Sequence, residues 1–492
     1  MKSNMDVLEI RWIFPPEVWL VIIENALLLR DSEGQSGKPS SLGVDIIRNL
    51  CLTCKGVLGL AQPTLFKRIE FSNLCPKYDD KRLDDLTSFF LEHPIAKDWV
   101  RELRIEAARF TFSYEKAPFI RSWERIIRCL PNLHTLDLDR VELSGNASDA
   151  IRRMPHLIQL YLYEVSCRKS DIPPELEDVH SARLQVFKIG VSGRPIMTDQ
   201  IWKIVPQSHT SLRRITMYHP ELCTHLYRLA RSGQLGVFHR LERMEIFRPF
   251  DWEPFLSFLS LCPNIRYLGI YTEKNADIVV PSYRPQIPYF PNLNYYWGPI
   301  DLAQWVLPST RSVDELNITG RMSGPRATLS KADLALLSQS LVPTGHLTLS
   351  TFEWYDEMIQ DIVEFFPGIL RLSLLVSNFS SLRSVSEDHV LLADGLKRHI
   401  PRLHNIESIE IGVVSSAPLQ SDQWKELYDA QSAVLNSLQG HPLKQASITP
   451  VRGTWRRDPL KIWVWEGNLM DDGTFDALRW RPLSTSSFID AD

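Results

Sequence analysis

The chain has no excess of charge of either sign: 55 lysines and arginines face 59 aspartates and glutamates, a net charge of -4 over 492 residues. Such a balance leaves no electrostatic footprint for a polyanion, so neither nucleic acid nor an anionic membrane is expected as a partner. Long hydrophobic runs are also missing. The most apolar stretch, residues 18 to 29, is interrupted by Glu24 and Asn25 and falls short of the roughly 20 residues needed to span a bilayer. No basic segment leads into an apolar core with a small-residue cleavage site, so export is not expected. Cysteine is sparse and odd in number: seven residues at 51, 54, 75, 129, 167, 223 and 262 make no disulfide framework and suit the cytoplasm or nucleus. Absent too are H-E-x-x-H, G-x-S-x-G, a P-loop and a G-x-G-x-x-G at a strand-helix junction. An enzyme is therefore not expected, nor a cofactor, a catalytic residue or a metal. Hydrophobic residues make up 44% and charged residues 23%, a balance that excludes wholesale disorder.

What the chain does have begins with Phe14-Pro15-Pro16-Glu17-Val18-Trp19-Leu20-Val21-Ile22-Ile23. A proline at the first helical turn costs no hydrogen bond and Glu17 favours the positive end of the helix dipole, so a helix starts here. Six consecutive apolar residues cannot hide on one face, and such a helix is buried on more than one side. Two readings stay open: packing onto the rest of this chain, or docking on a partner. Residues 31–41 (DSEGQSGKPSS) have the composition of a loop. Ile47, Leu50, Cys51, Cys54, Leu58 and Ala61 then recur at helical spacing. Gln62-Pro63 is expected to break that helix, Thr64 to Lys67 to add one more turn, and Arg68 to Phe71 to alternate as a strand.

Beyond residue 75 the sequence repeats a helical segment followed by an L-x-x-L-x-L strand. The clearest copy is Leu133, Leu136, Leu138. Others are Leu157, Leu160, Leu162; Leu184, Phe187, Ile189; Leu212, Ile215, Met217; Leu241, Met244, Ile246; and Ile265, Leu268, Ile270. The first positions, 133, 157, 184, 212, 241 and 265, lie 24, 27, 28, 29 and 24 residues apart, the period of leucine-rich repeats. Weaker copies begin at Val100, Val313, Ile369, Ile406 and Leu443. Helical runs are predicted from Trp123 to Leu130, Leu222 to Ala230, Pro254 to Leu261, Leu334 to Leu341, Met358 to Phe366 and Trp424 to Leu438. Prolines such as Pro131, Pro263 and Pro367 stop them. One such unit cannot bury its own apolar faces, so neighbours must stack into a curved solenoid. Ile462-Trp463-Val464-Trp465 reads as a closing strand.

The opening stretch, with Leu50-Cys51-Leu52-Thr53-Cys54-Lys55 and Leu60-Ala61-Gln62-Pro63-Thr64-Leu65-Phe66-Lys67-Arg68-Ile69, resembles an F-box, especially that of fungal leucine-rich-repeat proteins. The resemblance covers about residues 11 to 70. It implies an α/β chain: an N-terminal three-helix F-box over 1–75 with an inserted loop at 31–41, an irregular leucine-rich-repeat solenoid (horseshoe) over 76–450, and a cap and tail over 451–492. It also implies a role as substrate-recognition adapter of an SCF-type cullin-RING ubiquitin ligase, the F-box holding the Skp-type adaptor and the repeats an unknown protein substrate. The adaptor would meet Pro15, Pro16, Val18, Leu20 and Ile23, joined by Leu50, Cys54 and Leu58 of the second helix. The chain departs from the family in three places. The loop lengthens the first interhelical gap. Gly56-Val57-Leu58 stands where the second helix often has tryptophan. Val141, Val165 and Pro249 replace the Asn or Cys of the repeat turns, which points to irregular stacking.

Two constellations remain. Cys51-Leu52-Thr53-Cys54 is a lone C-x-x-C whose helical spacing places both thiols on a buried stripe, which favours core over metal. The residue after the third apolar position of each strand should project from the strand-lined side. There stand Tyr163, Gly190, Tyr218, Phe247 and Tyr271, a predicted partner-binding row, with Tyr161, Tyr267, Tyr295 and Trp297 beside it. The same rings could instead merely cover the sheet. A repeat-built protein-binding scaffold without ligase function is the alternative reading of the whole chain.

Overall fold

The computed structural model describes residues 55–74, 76–107, 123–167, 183–190, 204–218, 220–247, 252–271, 290–307, 313–319, 329–339, 341–352, 357–377, 394–414, 445–448, 453–457 and 463–467. The chain is α/β and divides into two compact units, Met1–His219 with Gln234–Arg240, and Pro220–Gly233 with Leu241–Asp492. The opening stretch, the 31–41 loop, the predicted helix at 424–438 and the tail beyond 467 lie outside the described residues.

In the first unit α1 (Lys55–Lys67) leads into β1 (Arg68–Leu74). Then come α2 (Pro76–Glu92), α3 (Pro94–Trp99), β2 (Glu102–Ala107), α4 (Trp123–Cys129), β3 (Thr135–Asp139), β4 (Glu142–Leu143), α5 (Gly145–Arg152), β5 (Gln159–Tyr163), β6 (Ser166–Cys167), β7 (Val186–Gly190), α6 (Ile204–Gln207) and β8 (Arg214–Met217). Strands β1, β2, β3, β5, β7 and β8 pair in that order, all parallel, and β4 pairs with β6 in a separate short ladder. Parallel neighbours need a long crossover, which the intervening segments supply.

The second unit holds α7 (Pro220–Arg231), β9 (Arg243–Phe247), α8 (Trp252–Ser260), β10 (Tyr267–Tyr271), β11 (Tyr295–Pro299), α9 (Ile300–Val306), β12 (Val313–Thr319), α10 (Lys331–Ser338), β13 (Leu341–Phe352), α11 (Met358–Phe365), β14 (Arg371–Ser377), β15 (Ser408–Val414), β16 (Gln445–Ile448), β17 (Gly453–Arg457) and β18 (Trp463–Gly467). From β9 to β16 each strand pairs parallel with the next, and β17 and β18 close the sheet antiparallel. The closing strand predicted at Trp463 is thus present.

The repeat register is held by one recurring device. Two successive N–H groups at each strand entrance donate to a single carbonyl of the preceding copy: His134 and Thr135 to Arg101, Ile158 and Gln159 to His134, Arg266 and Tyr267 to Glu242, Asn294 and Tyr295 to Arg266. Wherever their side chains are described, the predicted apolar positions then face the core. Leu136, Leu138, Leu160, Leu162, Leu268 and Leu316 are 0% exposed, and β3, β5 and β7 alternate half-buried and buried along their length. A parallel sheet normally has both faces covered. Here the face opposite the leucines keeps solvent contact, and it carries the site.

Three expectations change. Pro63 does not break the helix, since α1 runs on to Lys67 with Pro63 inside it. The residue whose carbonyl the proline ring would crowd is Gly59, the one side-chain-free position in that turn. Leu341 opens β13 rather than ending α10. Two strand copies were also missed, β11 and β13. In β11 the pattern reads Leu293, Tyr296, Gly298: the buried Tyr296 ring fills the space of both aliphatic positions, and a Cβ on Gly298 would stand 2.8 Å from the tyrosine oxygen. In β13 Thr344 holds the first position of the pattern, ahead of Leu347 and Leu349. Two of the turns lacking Asn or Cys, those at Val141 and Val165, are made by backbone; Pro249 lies outside the described residues. Arg140 and Glu164 adopt positive φ (58 and 49), and their N–H groups donate to the carbonyls of Tyr163 and Gly190. Val141 and Val165 then bury in the core.

Candidate binding face on the strands

In the second unit the outward residues of consecutive strands fall into rows because parallel pairing puts like positions side by side. One row is Arg243, Tyr267, Tyr295, Glu315. The Tyr267 and Tyr295 rings stack at 4.1 Å with 6° between planes, and the Arg243 guanidinium lies 4.1 Å from the Tyr267 centroid. Burial is the main reason both phenols are pushed above their ordinary value; Tyr295 also raises Tyr267, and the charge of Glu315 raises Tyr295. Burial likewise raises the Glu315 carboxyl, with Arg371 opposing, and lowers His346. The adjacent row is Glu245, Gly269, Trp297, Asn317. Arg243 Nε donates to Glu245 Oε1 at 2.7 Å, and that carboxylate is 2% exposed.

Tyr271 is 42% exposed and is the large hydrophobic residue that this unit presents to solvent among its described residues. It stands between Phe247 at 5.8 Å and Trp297 at 6.3 Å. Phe247 differs from expectation. It is 1% exposed, because its ring is packed in this layer, so it supports Tyr271 rather than meeting a partner itself.

In the first unit the corresponding face holds Tyr161, Tyr163 and Tyr218, all half-buried. Tyr163 leans over Gly190, its Cδ1 3.2 Å from where a Cβ would be, and Lys188 Nζ sits 5.3 Å from its ring centre. Beside them Arg104 lies within 3.7, 3.4 and 3.6 Å of Glu70, Glu106 and Asp137, and Arg140 pairs with Glu106 and Asp139. Desolvation, assisted by Asp139, Glu106 and Glu70 against the pull of Arg104, pushes Asp137 up to about 6. Desolvation also raises Asp139.

Of the predicted row, Tyr163 and Tyr218 are half-buried in one unit, and in the other Tyr271 is exposed while Phe247 is covered. Sequence reading named Tyr267, Tyr295 and Trp297 beside the row but missed Arg243 and the alignment that stacks the two tyrosines, which becomes visible only when Leu293 is accepted as a repeat start. Of the predicted adaptor contacts, Pro15, Pro16, Val18, Leu20, Ile23, Leu50 and Cys54 lie outside the described residues, as does the side chain of Leu58. Among the described residues no three metal-ligating groups cluster, and no helix is long and apolar enough to cross a membrane. No known family model matches the chain, and no curated protein matches it. The face has to be read from its own chemistry, which is that of a surface: rings, carboxylates and guanidiniums spread over several strands.

Proposed function

We propose that this chain is the substrate-recognition adapter of an SCF-type cullin-RING ubiquitin ligase, acting in the cytoplasm or nucleus. An F-box at residues 1–75 docks the Skp-type adaptor, and leucine-rich repeats hold the target protein. The observation that carries the reading is the repeated parallel strand array with one solvent-facing side bearing Tyr271 and its neighbouring rings. It follows a segment that resembles an F-box. Aromatic side chains offer large rigid area at little entropic cost, as protein interfaces require.

A scaffold without ligase function is favoured by one contact. Phe66 of α1 stacks on Phe89 at 5.7 Å and meets Trp99 at 6.1 Å, so the end of the F-box-like segment packs on the next helices. Capture of the Skp-type adaptor by the full chain separates the two. The full chain should capture it, and Val18→Asp with Leu20→Asp should weaken capture at least about tenfold, the effect of placing unpaired charge in an apolar interface. No capture by the unmodified chain would leave the scaffold.

A further inference from the structure

On the second unit's strand face, Gly269 of β10 is crowded by three neighbours: a Cβ there would stand 3.0 Å from Trp297 Cε3, 3.1 Å from Glu245 Cγ and 3.3 Å from Tyr267 Cε1. Without that Cβ the indole can lie low across β10. Tyr271, two residues along the same strand, stands next to it at 6.3 Å with 56° between the planes. Floor and wall of an aromatic corner are thus set by one glycine. The corner is faced by aromatic rings, whose faces carry negative electrostatic potential. The Glu245 carboxylate buried against the same glycine is already paired with Arg243, and Glu315, one strand further along the neighbouring row, has a side chain 40% exposed. The same face also shows what it accepts, since one row over a guanidinium already sits on a tyrosine, Arg243 on Tyr267, backed by Tyr295.

We propose that the Trp297–Tyr271 corner over Gly269 seats a cationic side chain, lysine or arginine, of the protein that this face binds. The inference rests on reading the face as the partner surface, and it names the chemistry recognised there. Indole is the best of the aromatic platforms for a cation. Gly269 is a positioning residue, acting through Trp297.

The test uses the full chain and two fluorescein-labelled peptides, hexa-arginine and hexa-glutamate, with binding read by fluorescence anisotropy. Hexa-arginine should bind and hexa-glutamate should not. Trp297→Leu keeps the charge and removes the ring, and should weaken hexa-arginine binding about 2- to 30-fold, the range of cation–ring contacts. Trp297→Phe, which keeps a ring, should recover part of the loss, and Gly269→Ala should weaken binding by lifting the indole. Equal dissociation constants for the unmodified chain and Trp297→Leu, equal losses in the Leu and Phe variants, or binding of hexa-glutamate would each overturn the proposal. Adaptor capture by the same variants is measured in parallel. Ring-dependent peptide binding without adaptor capture would uphold the corner and remove the ligase reading.

Discussion

Tyr296 and Gly298 should behave as one unit. Tyr296 is 0% exposed, and its hydroxyl donates to the Pro299 carbonyl at 3.0 Å. A Cβ on Gly298 would meet the Tyr296 oxygen at 2.8 Å, Cζ at 3.1 Å and Ile270 Cβ at 3.3 Å. The first of these contacts cannot stand, and the ring cannot retreat in a packed core. Gly298→Ala should therefore cost about 1–3 kcal/mol, the usual penalty of overpacking, reduced by about 0.5 kcal/mol because alanine suits a strand better than glycine. Tyr296→Phe should cost about 1 kcal/mol by leaving the Pro299 carbonyl without its donor. In that background the oxygen is gone and the remaining contacts need shifts of only a few tenths of an ångström. Gly298→Ala should then cost less than half as much, a coupling of about 1 kcal/mol. Native-state hydrogen exchange at the Leu268, Tyr296 and Leu316 amides of the full chain reads this locally. That matters in a repeat array, where unfolding need not be two-state. A Gly298→Ala penalty of the same size in both backgrounds would refute the reasoning.

Three further outcomes follow from the same geometry. Asp137 has a folded-state pKa raised from 3.8 to about 6, so its protonated form stabilises the first unit fully below the ordinary carboxylate range, and that contribution is lost as pH rises through about 6. Asp137→Asn should flatten the stability of the first unit across that window, read from urea midpoints at pH 4.5 and 7; an unchanged difference between the two midpoints would count against it. Ser330 accepts from the Asp333 N–H at 3.2 Å while Asp333 accepts from the Ser330 N–H at 2.9 Å, a reciprocal cap on α10. Ser330→Ala should cost about 1 kcal/mol, visible as faster exchange in the first turn. Asp333→Ala should cost more, because this 3% exposed carboxylate also accepts from Gln304 at 2.9 Å. Tyr218→Ala with Tyr271→Ala should reduce capture of a protein partner while adaptor capture persists, whereas Phe247→Ala should first lower stability by about 3–5 kcal/mol.

The strand skeleton was legible because each copy repeats the same contact problem. A leucine facing the core must be followed two residues later by another, and the copies from Leu133 to Ile270 keep that spacing. Reading failed where one side chain took over the work of two. Tyr296 with Gly298 satisfies the core without resembling the pattern, which hides β11 as a repeat copy and leaves Tyr295, though named, without its register against Tyr267. Exposure within the aromatic row was not legible either. Phe247 and Tyr271 hold equivalent strand positions, yet one is covered and the other open, a difference set by packing around each ring rather than by spacing along the chain.

That difference bears on how such a surface recognises anything. The rings that stack within the face, Tyr267 on Tyr295 with Arg243 above, are held by their neighbours and lose little freedom when a partner arrives. Preorganisation of this kind lowers the entropic cost of binding, and a row fixed by strand pairing supplies it without a dedicated loop. The solvent-facing Tyr271 then needs only a fixed neighbour to become selective. Trp297, laid down by the missing side chain of Gly269, is that neighbour. Selectivity on this face should therefore respond to a single methyl group at residue 269, which displaces the indole by a few tenths of an ångström, though less strongly than to loss of the ring itself.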